Sequence, residues 1–174
     1  MKTWSAIVLS GGTNKRFGSD KSVALLHNIT LLDHVLSFIP QNIKTVIVGK
    51  EVFEEPAFGG PVAGIARGLE EIDTEFVAVV AVDMPYGASL FEQLLSVIKR
   101  DAAMPIDPQG FTQPLCGIYR RNSLLAAIEK LGNPHGQSMR ALCDFLIIDQ
   151  IEVDVKALID IDTPEDLILA QGLN

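Results

Sequence analysis

The chain has 174 residues, enough for one domain with a substantial core, and a composition of 48% hydrophobic and 21% charged residues is that of a globular fold. A formal net charge of −8 argues against a nucleic-acid grip, which needs a basic face, while leaving small anionic substrates open to a few local cations. No apolar run approaches the roughly 20 residues that cross a bilayer, and the apolar opening is too short for a signal-peptide core, so a cytoplasmic protein with small-molecule partners is expected.

Trp4–Leu9 reads as a buried strand stopped by Gly11-Gly12, and a polar, glycine-bearing loop follows over 10–20. Residues 23–26 form a short extended piece that turns at His27-Asn28. Leu31, Leu32, Val35, Leu36 and Ile39 then recur at helical spacing until Pro40. Thr45–Val48 is a β-branched second strand. A helix is expected over 61–72, with Ile65, Leu69 and Ile72 inward, and a strand over 76–82. That strand is apolar throughout, as befits a parallel sheet covered on both faces. Further along come an amphipathic helix over 90–98, a strand over 115–119 and a helix capped by Asn122 and ending at Leu131. A second cap at Ser138 starts a helix to Phe145, and 146–155 reads as extended. Thr163-Pro164-Glu165-Asp166 is a strong helix start, with a capping threonine, proline at the first position and an acid three residues after the cap. This alternation predicts a single α/β domain over 1–174, a three-layer sandwich with a mostly parallel sheet, whose ligands bind where the strands end.

Four segments carry candidate chemistry. The loop Leu9-Ser10-Gly11-Gly12 through Lys21 follows the first strand; its glycines permit close approach to phosphate oxygens, and Arg16 and Lys21 add cations. It matches neither GxxxxGK[ST] nor GxGxxG. Asp83 is the first charge after the apolar strand, placed either to hold a hard cation or to make a turn before Pro85. Asp160 and Asp162 alternate along an extended stretch, so one can join Asp83 at a metal, or Asp162 can cap the helix that follows. Gly59-Gly60-Pro61-Val62-Ala63-Gly64 either lets a base or ribose pack on a helix start, or Gly64 and Gly68 serve close helix-to-sheet packing.

Other chemistries lack support. His27, His34 and His135 have no ligand or triad spacing, and Cys116 and Cys143 read as buried, reduced thiols. There is no nucleophile elbow. A phosphorylated acceptor, with a second pKa of about 6, removes the need for a general base.

The blocks LSGGTNKRFGSDK at 9–21, GGPVAG at 59–64, VDMP at 82–85, QPLCGIYR at 113–120 and DIDTPEDL at 160–167 occur in this order along nearly the whole chain. On these blocks the chain resembles the molybdenum cofactor guanylyltransferases, the family of molybdopterin-guanine dinucleotide biosynthesis protein A. The resemblance implies a Rossmann-like fold of nucleotidyltransferase type and Mg²⁺-dependent transfer of GMP from GTP to molybdopterin. It implies nucleotide contacts at Leu9, Ser10, Gly11, Gly12, Gly60 and Pro61, with Lys21 and Arg16 at the phosphates. It also puts Mg²⁺ on Asp83, while Asp160 and Asp162, of which Asp162 is the second metal candidate from its spacing, stand where the family often carries Asn. Where the family carries Asp before its GPLAG block, Glu54 or Glu55 is the available acid here, and Gly49 stands where Asn is frequent. Other nucleotidyl transfers, to molybdopterin, methylerythritol phosphate or a sugar phosphate, are the alternative enzyme readings. A non-catalytic nucleotide-binding module is the alternative outside enzymes.

Overall fold

The computed structural model describes residues 2–11, 17, 18 and 20–172. Six strands form the main sheet: β1 (Trp4–Leu9), β4 (Thr45–Val48), β5 (Phe76–Ala81), β6 (Ala102–Ile106), β7 (Cys116–Arg120) and β8 (Ile148–Glu152). Their order is β4-β1-β5-β7-β6-β8. β1 pairs in parallel with β4 and β5, and β6 with β8, whereas β7 runs against both β5 and β6. The expected parallel character therefore holds apart from one reversed strand. Two short strands, β2 (Leu25–Leu26) and β3 (Ile29–Thr30), make a separate hairpin. Its two linking residues, His27 and Asn28, both have positive φ, the pattern of a type I′ turn.

Helices cover both faces. On one side α1 (Leu31–Ser37) and α3 (Phe91–Val97) place Val35, Phe91 and Leu94 against Ala6, Val8, Ala78 and Val80. On the other, α2 (Pro61–Leu69), α4 (Arg121–Leu131) and α5 (Met139–Cys143) pack on Ile7, Val77, Val79 and Tyr119. The six residues of β5 are all buried, which explains their unbroken apolar run. α2 lies unusually close to the sheet. A Cβ on Gly68 would meet Ile7 at 2.8 Å, and one on Gly64 would meet Leu9 at 3.0 Å. The packing role weighed for these two glycines is thus real. α6 (Pro164–Gln171) follows the Asp160–Asp162 segment and is held by the expected capping box between Thr163 and Asp166.

Three departures have local causes. No strand is expected at 102–106, because Ala-Ala-Met-Pro-Ile lacks β-branched residues until its end and carries a proline. The strand forms nevertheless, since its first three residues are fully buried between β7 and β8. Asn122 does not cap α4: the helix leaves β7 directly, with Arg120 at the cap position and Arg121 N–H bonded to Glu75 O at 2.9 Å. Cys116 is buried, with its thiol pushed up to about 12 by burial, while Cys143 is only partly buried. Among the described residues no helix is long and apolar enough to cross a membrane.

Candidate active site

The strand register makes three exits level. Leu9 stands beside Val48 on one side and Ala81 on the other. The segments that leave these strands consequently meet: Ser10 N–H donates to Val48 O at 2.8 Å and Val82 N–H to Leu9 O at 3.0 Å. Gly49 presses on the first of them. Its φ is +92°, and a Cβ there would lie 2.5 Å from Gly11 N. Both facts demand glycine, so Gly49→Ala is expected to cost about 1–3 kcal/mol in denaturant unfolding, the range for a residue forced into a sparsely populated backbone region. Among the described residues, Ser10 Oγ is the buried side-chain oxygen left without a hydrogen-bond partner. It belongs to this same edge.

Lys21 opens a short 3-10 turn, Lys21–Val23, capped by Asp20. The Asp20 carboxylate accepts from Ser22 N–H at 3.0 Å and Ser22 Oγ–H at 2.7 Å, and pairs with Lys50 at 2.8 Å. Lys50, first by its hydrogen bond, and Ser22 hold Asp20 below the ordinary carboxylate range. This brace ties the loop after β1 to the segment after β4. Lys21 itself points inward and is 8% exposed, its Nζ 2.6 Å from Asp162 Oδ1 and 3.5 Å from Asp83 Oδ2.

Asp83 is carried by the exit of β5, and Asp160 and Asp162 by the segment before α6. Ile161 joins the two segments: its N–H donates to Asp83 O at 2.9 Å and its side chain is fully buried. The acids on either side of it, two residues apart, then face Asp83 together. One carboxylate oxygen from each of Asp83, Asp160 and Asp162 lies within 4.8 Å of the others. The cap of α6 is Thr163, so capping is not the role of Asp162. A donor set made of carboxylate oxygens alone fits a hard divalent cation and does not fit a site selective for zinc.

The electrostatics follow from this crowding. Burial raises Asp83, opposed by the Lys21 ammonium and reinforced by Asp162. Asp160 keeps one side open to solvent, yet the packing around its carboxyl, then the charges of Asp83 and Asp162, push it up to about 6. The repulsion is the firmer cause, given that open side. Because the folded value lies above the ordinary 3.8, this group favours the fold most below that value, and the contribution is lost as pH rises through about 6. Divalent-cation affinity should run the other way, since ligands must be deprotonated. It is expected to be flat above about pH 7 and to fall by up to about tenfold per unit below pH 6, measured by calorimetry without nucleotide.

The other expected site residues among those described lie at the end of β1, on the β4–α2 connection and at the start of α2. Leu9 turns its side chain into the core beneath Gly64 of α2 and leaves its backbone at the edge. Gly60, with φ +88°, is the cap residue of α2, and Pro61 occupies the first helical position. Glu55 is exposed on the β4–α2 connection and is not part of the carboxylate cluster. Gly12 and Arg16 lie outside the described residues. His34 is structural, its Nε2 2.7 Å from Leu26 O, and the neighbouring Asp33 bonds Thr30 instead, so the two form no relay. A mostly apolar cavity of about 380 Å³ reaches the same loops through Tyr86 and Ile159 but contains none of the three carboxylates.

Lys21 and three carboxylates thus meet at the C-terminal edge of an α/β sheet of nucleotidyltransferase type. The chain belongs to the MobA-like NTP transferase domain family, whose model matches residues 6–151. A relative from Nostoc sp., named "Probable molybdenum cofactor guanylyltransferase", is 29% identical over 99% of this chain and 92% of its own length. One of the same name from Bacillus cereus is 26% identical over 98% and 97%. Among solved structures, molybdopterin-guanine dinucleotide biosynthesis protein A from Archaeoglobus fulgidus superposes with a TM-score of 0.72 at 21% identity, covering 97% of both chains. The 2-C-methyl-D-erythritol 4-phosphate cytidylyltransferase from Thermus thermophilus gives 0.70 at 20% identity over 99% and 98%. At these identities the superpositions establish the fold alone.

Proposed function

We propose that residues 1–174 act as a single cytoplasmic nucleotidyltransferase domain that transfers GMP from GTP to molybdopterin, releasing pyrophosphate. The observation that carries this reading is the meeting of Lys21 with Asp83, Asp160 and Asp162 at the strand exits, in a chain of the MobA-like family. The names of the curated relatives support guanine and molybdopterin over other pairs.

In the reaction an oxygen of the acceptor's terminal phosphate attacks the α-phosphorus of GTP. A new P–O–P bond forms, the bond to the bridging α–β oxygen breaks, and pyrophosphate leaves with the electron pair. The attacking phosphate is mostly dianionic at neutral pH, so no residue need remove a proton. Lys21 binds the phosphates, and Arg16 adds a second cation there. Leu9, Ser10, Gly11 and Gly12 hold the nucleotide through the loop backbone, with the Ser10 hydroxyl supplying a hydrogen bond. Gly60 and Pro61 place the N-terminal amides of α2 toward the sugar, and Glu55 reaches it from the preceding segment. Asp83 and Asp162, with Asp160, hold Mg²⁺, which when bound neutralises charge on the transferring phosphate.

Calorimetric titration with GTP, CTP, UTP and ATP in the presence of Mg²⁺ tests the nucleotide half of the proposal. GTP is expected to bind at least about tenfold more tightly than the others, a gap of 1.4 kcal/mol. Equal or tighter binding of CTP rejects the guanylyl assignment.

A further inference from the structure

The cavity of about 380 Å³ that adjoins Tyr86 and Ile159 is lined by residues the proposed transfer does not use. Two 3-10 turns, Gly87–Leu90 and Val155–Leu158, supply its buried lining through Leu90 and Ala157. Phe38, one residue past α1, adds a ring that stays 40% exposed. The Tyr86 ring is held edge-to-face against Phe38 at 6.3 Å and against His34 at 5.7 Å, and His34 is itself tied to Leu26 O. The apolar part of the cavity is thus preformed and of the size that takes a small molecule.

Its polar groups are few, and the local hydrogen bonds fix their roles. Ser89, Asp154 and Lys156 are the exposed polar residues of the lining, so they stand at its rim. Ser89 Oγ–H donates to Tyr86 O at 2.6 Å, which leaves the hydroxyl its lone pairs as acceptors. Asp154 Oδ1 accepts Lys156 N–H at 2.9 Å, and Ala157 N–H donates to Asp154 O at 3.0 Å, so the second turn is braced at its start. The Asp154 carboxylate has further lone pairs and no proton to give, whereas the Lys156 ammonium only donates. A cation in the cavity would meet Lys156 and an anion would meet Asp154. A neutral group with a donor beside an acceptor suits both.

We infer that this cavity is a second small-molecule site, separate from the carboxylate cluster, for a flat aromatic ring whose edge carries an N–H beside a carbonyl. The ligand class is an aryl amide or lactam. Its ring packs on Phe38 and Tyr86, its N–H donates to Asp154 and its carbonyl accepts from Lys156. The inference goes beyond the proposed transfer and does not depend on it.

Amide NMR titration of the whole chain with benzamide tests it, with benzylamine and benzoate as the charged comparisons. A ligand this small is expected to bind with a dissociation constant of about 1 mM, shifting the amides of Tyr86, Leu90 and Ala157. It should bind at least about threefold more tightly than either comparison, because each of those meets a like charge at the rim. Ser89→Phe puts a ring into the cavity and should weaken benzamide at least about tenfold. Asp154→Asn keeps the cap, since Asn caps as well as Asp, but replaces an acceptor oxygen by a donor NH₂ and should weaken benzamide about fivefold or more. Saturating GTP with Mg²⁺ should leave benzamide binding within about twofold, as expected of separate sites. Shifts confined to other residues, no binding at about 10 mM, or unchanged affinity in both variants overturns the site. Equal binding of benzoate or benzylamine overturns the ligand class, and displacement by GTP overturns the separation from the carboxylate cluster. Spectra of the variants that match the unsubstituted protein away from the cavity verify that the fold is kept.

Discussion

Asp83→Asn should lower kcat for GMP transfer by about a thousandfold while leaving the fold as stable as before or slightly more so. The two halves of this expectation have one cause. Asp83 sits within reach of Asp160 and Asp162, and burial together with the Asp162 charge raises its pKa. A neutral amide relieves that repulsion, and Lys21 retains Asp162 at 2.6 Å. Without the charge, however, the cluster loses the ligand that the β5 exit supplies. Activity and stability measured on the same preparation separate a metal-holding carboxylate from a structural one. A parallel fall in both would assign Asp83 to the scaffold.

Lys21→Met is expected to damage both properties. It removes the ammonium that lies 2.6 Å from Asp162 and 3.5 Å from Asp83, and strands carboxylates that are already crowded. Breaking a fully buried pair costs about 3–5 kcal/mol, and the partial exposure of the acids reduces this to about 1–3 kcal/mol. The deficit should shrink as pH falls from 7 toward 5. With the ammonium gone the folded carboxylates bind protons more tightly than the unfolded chain does, so acid favours the variant's fold. Mg²⁺ should also recover part of the stability by binding the folded form. Turnover should fall by about a hundredfold or more and return with neither treatment, since the cation proposed to bind the phosphates is missing. Urea unfolding at two pH values, with and without Mg²⁺, checks the pattern.

Much of this site could be read from residue order because parity and strand ends are local properties. An apolar run from Phe76 that ends at Asp83 marks a buried strand and its exit, and acids two apart at Asp160 and Asp162 share a face. The helix start at Thr163 was equally plain, since its capping box is written within four residues. What could not be read is contact between distant segments. The Asp20–Lys50 brace joins residues on different connections, and the pairing of Lys21 with Asp162 spans nearly the whole chain. β6 escaped for a different reason: its alanines and Pro105 have poor strand character, and neighbouring strands supply what the sequence lacks.

The most direct test of the account is to incubate the protein with GTP, Mg²⁺ and molybdopterin, measuring pyrophosphate and the guanine dinucleotide product together. The account predicts that both appear in equal amounts and that CTP in place of GTP gives little of either. Pyrophosphate formed only with CTP, or no pyrophosphate with any nucleotide, would contradict it.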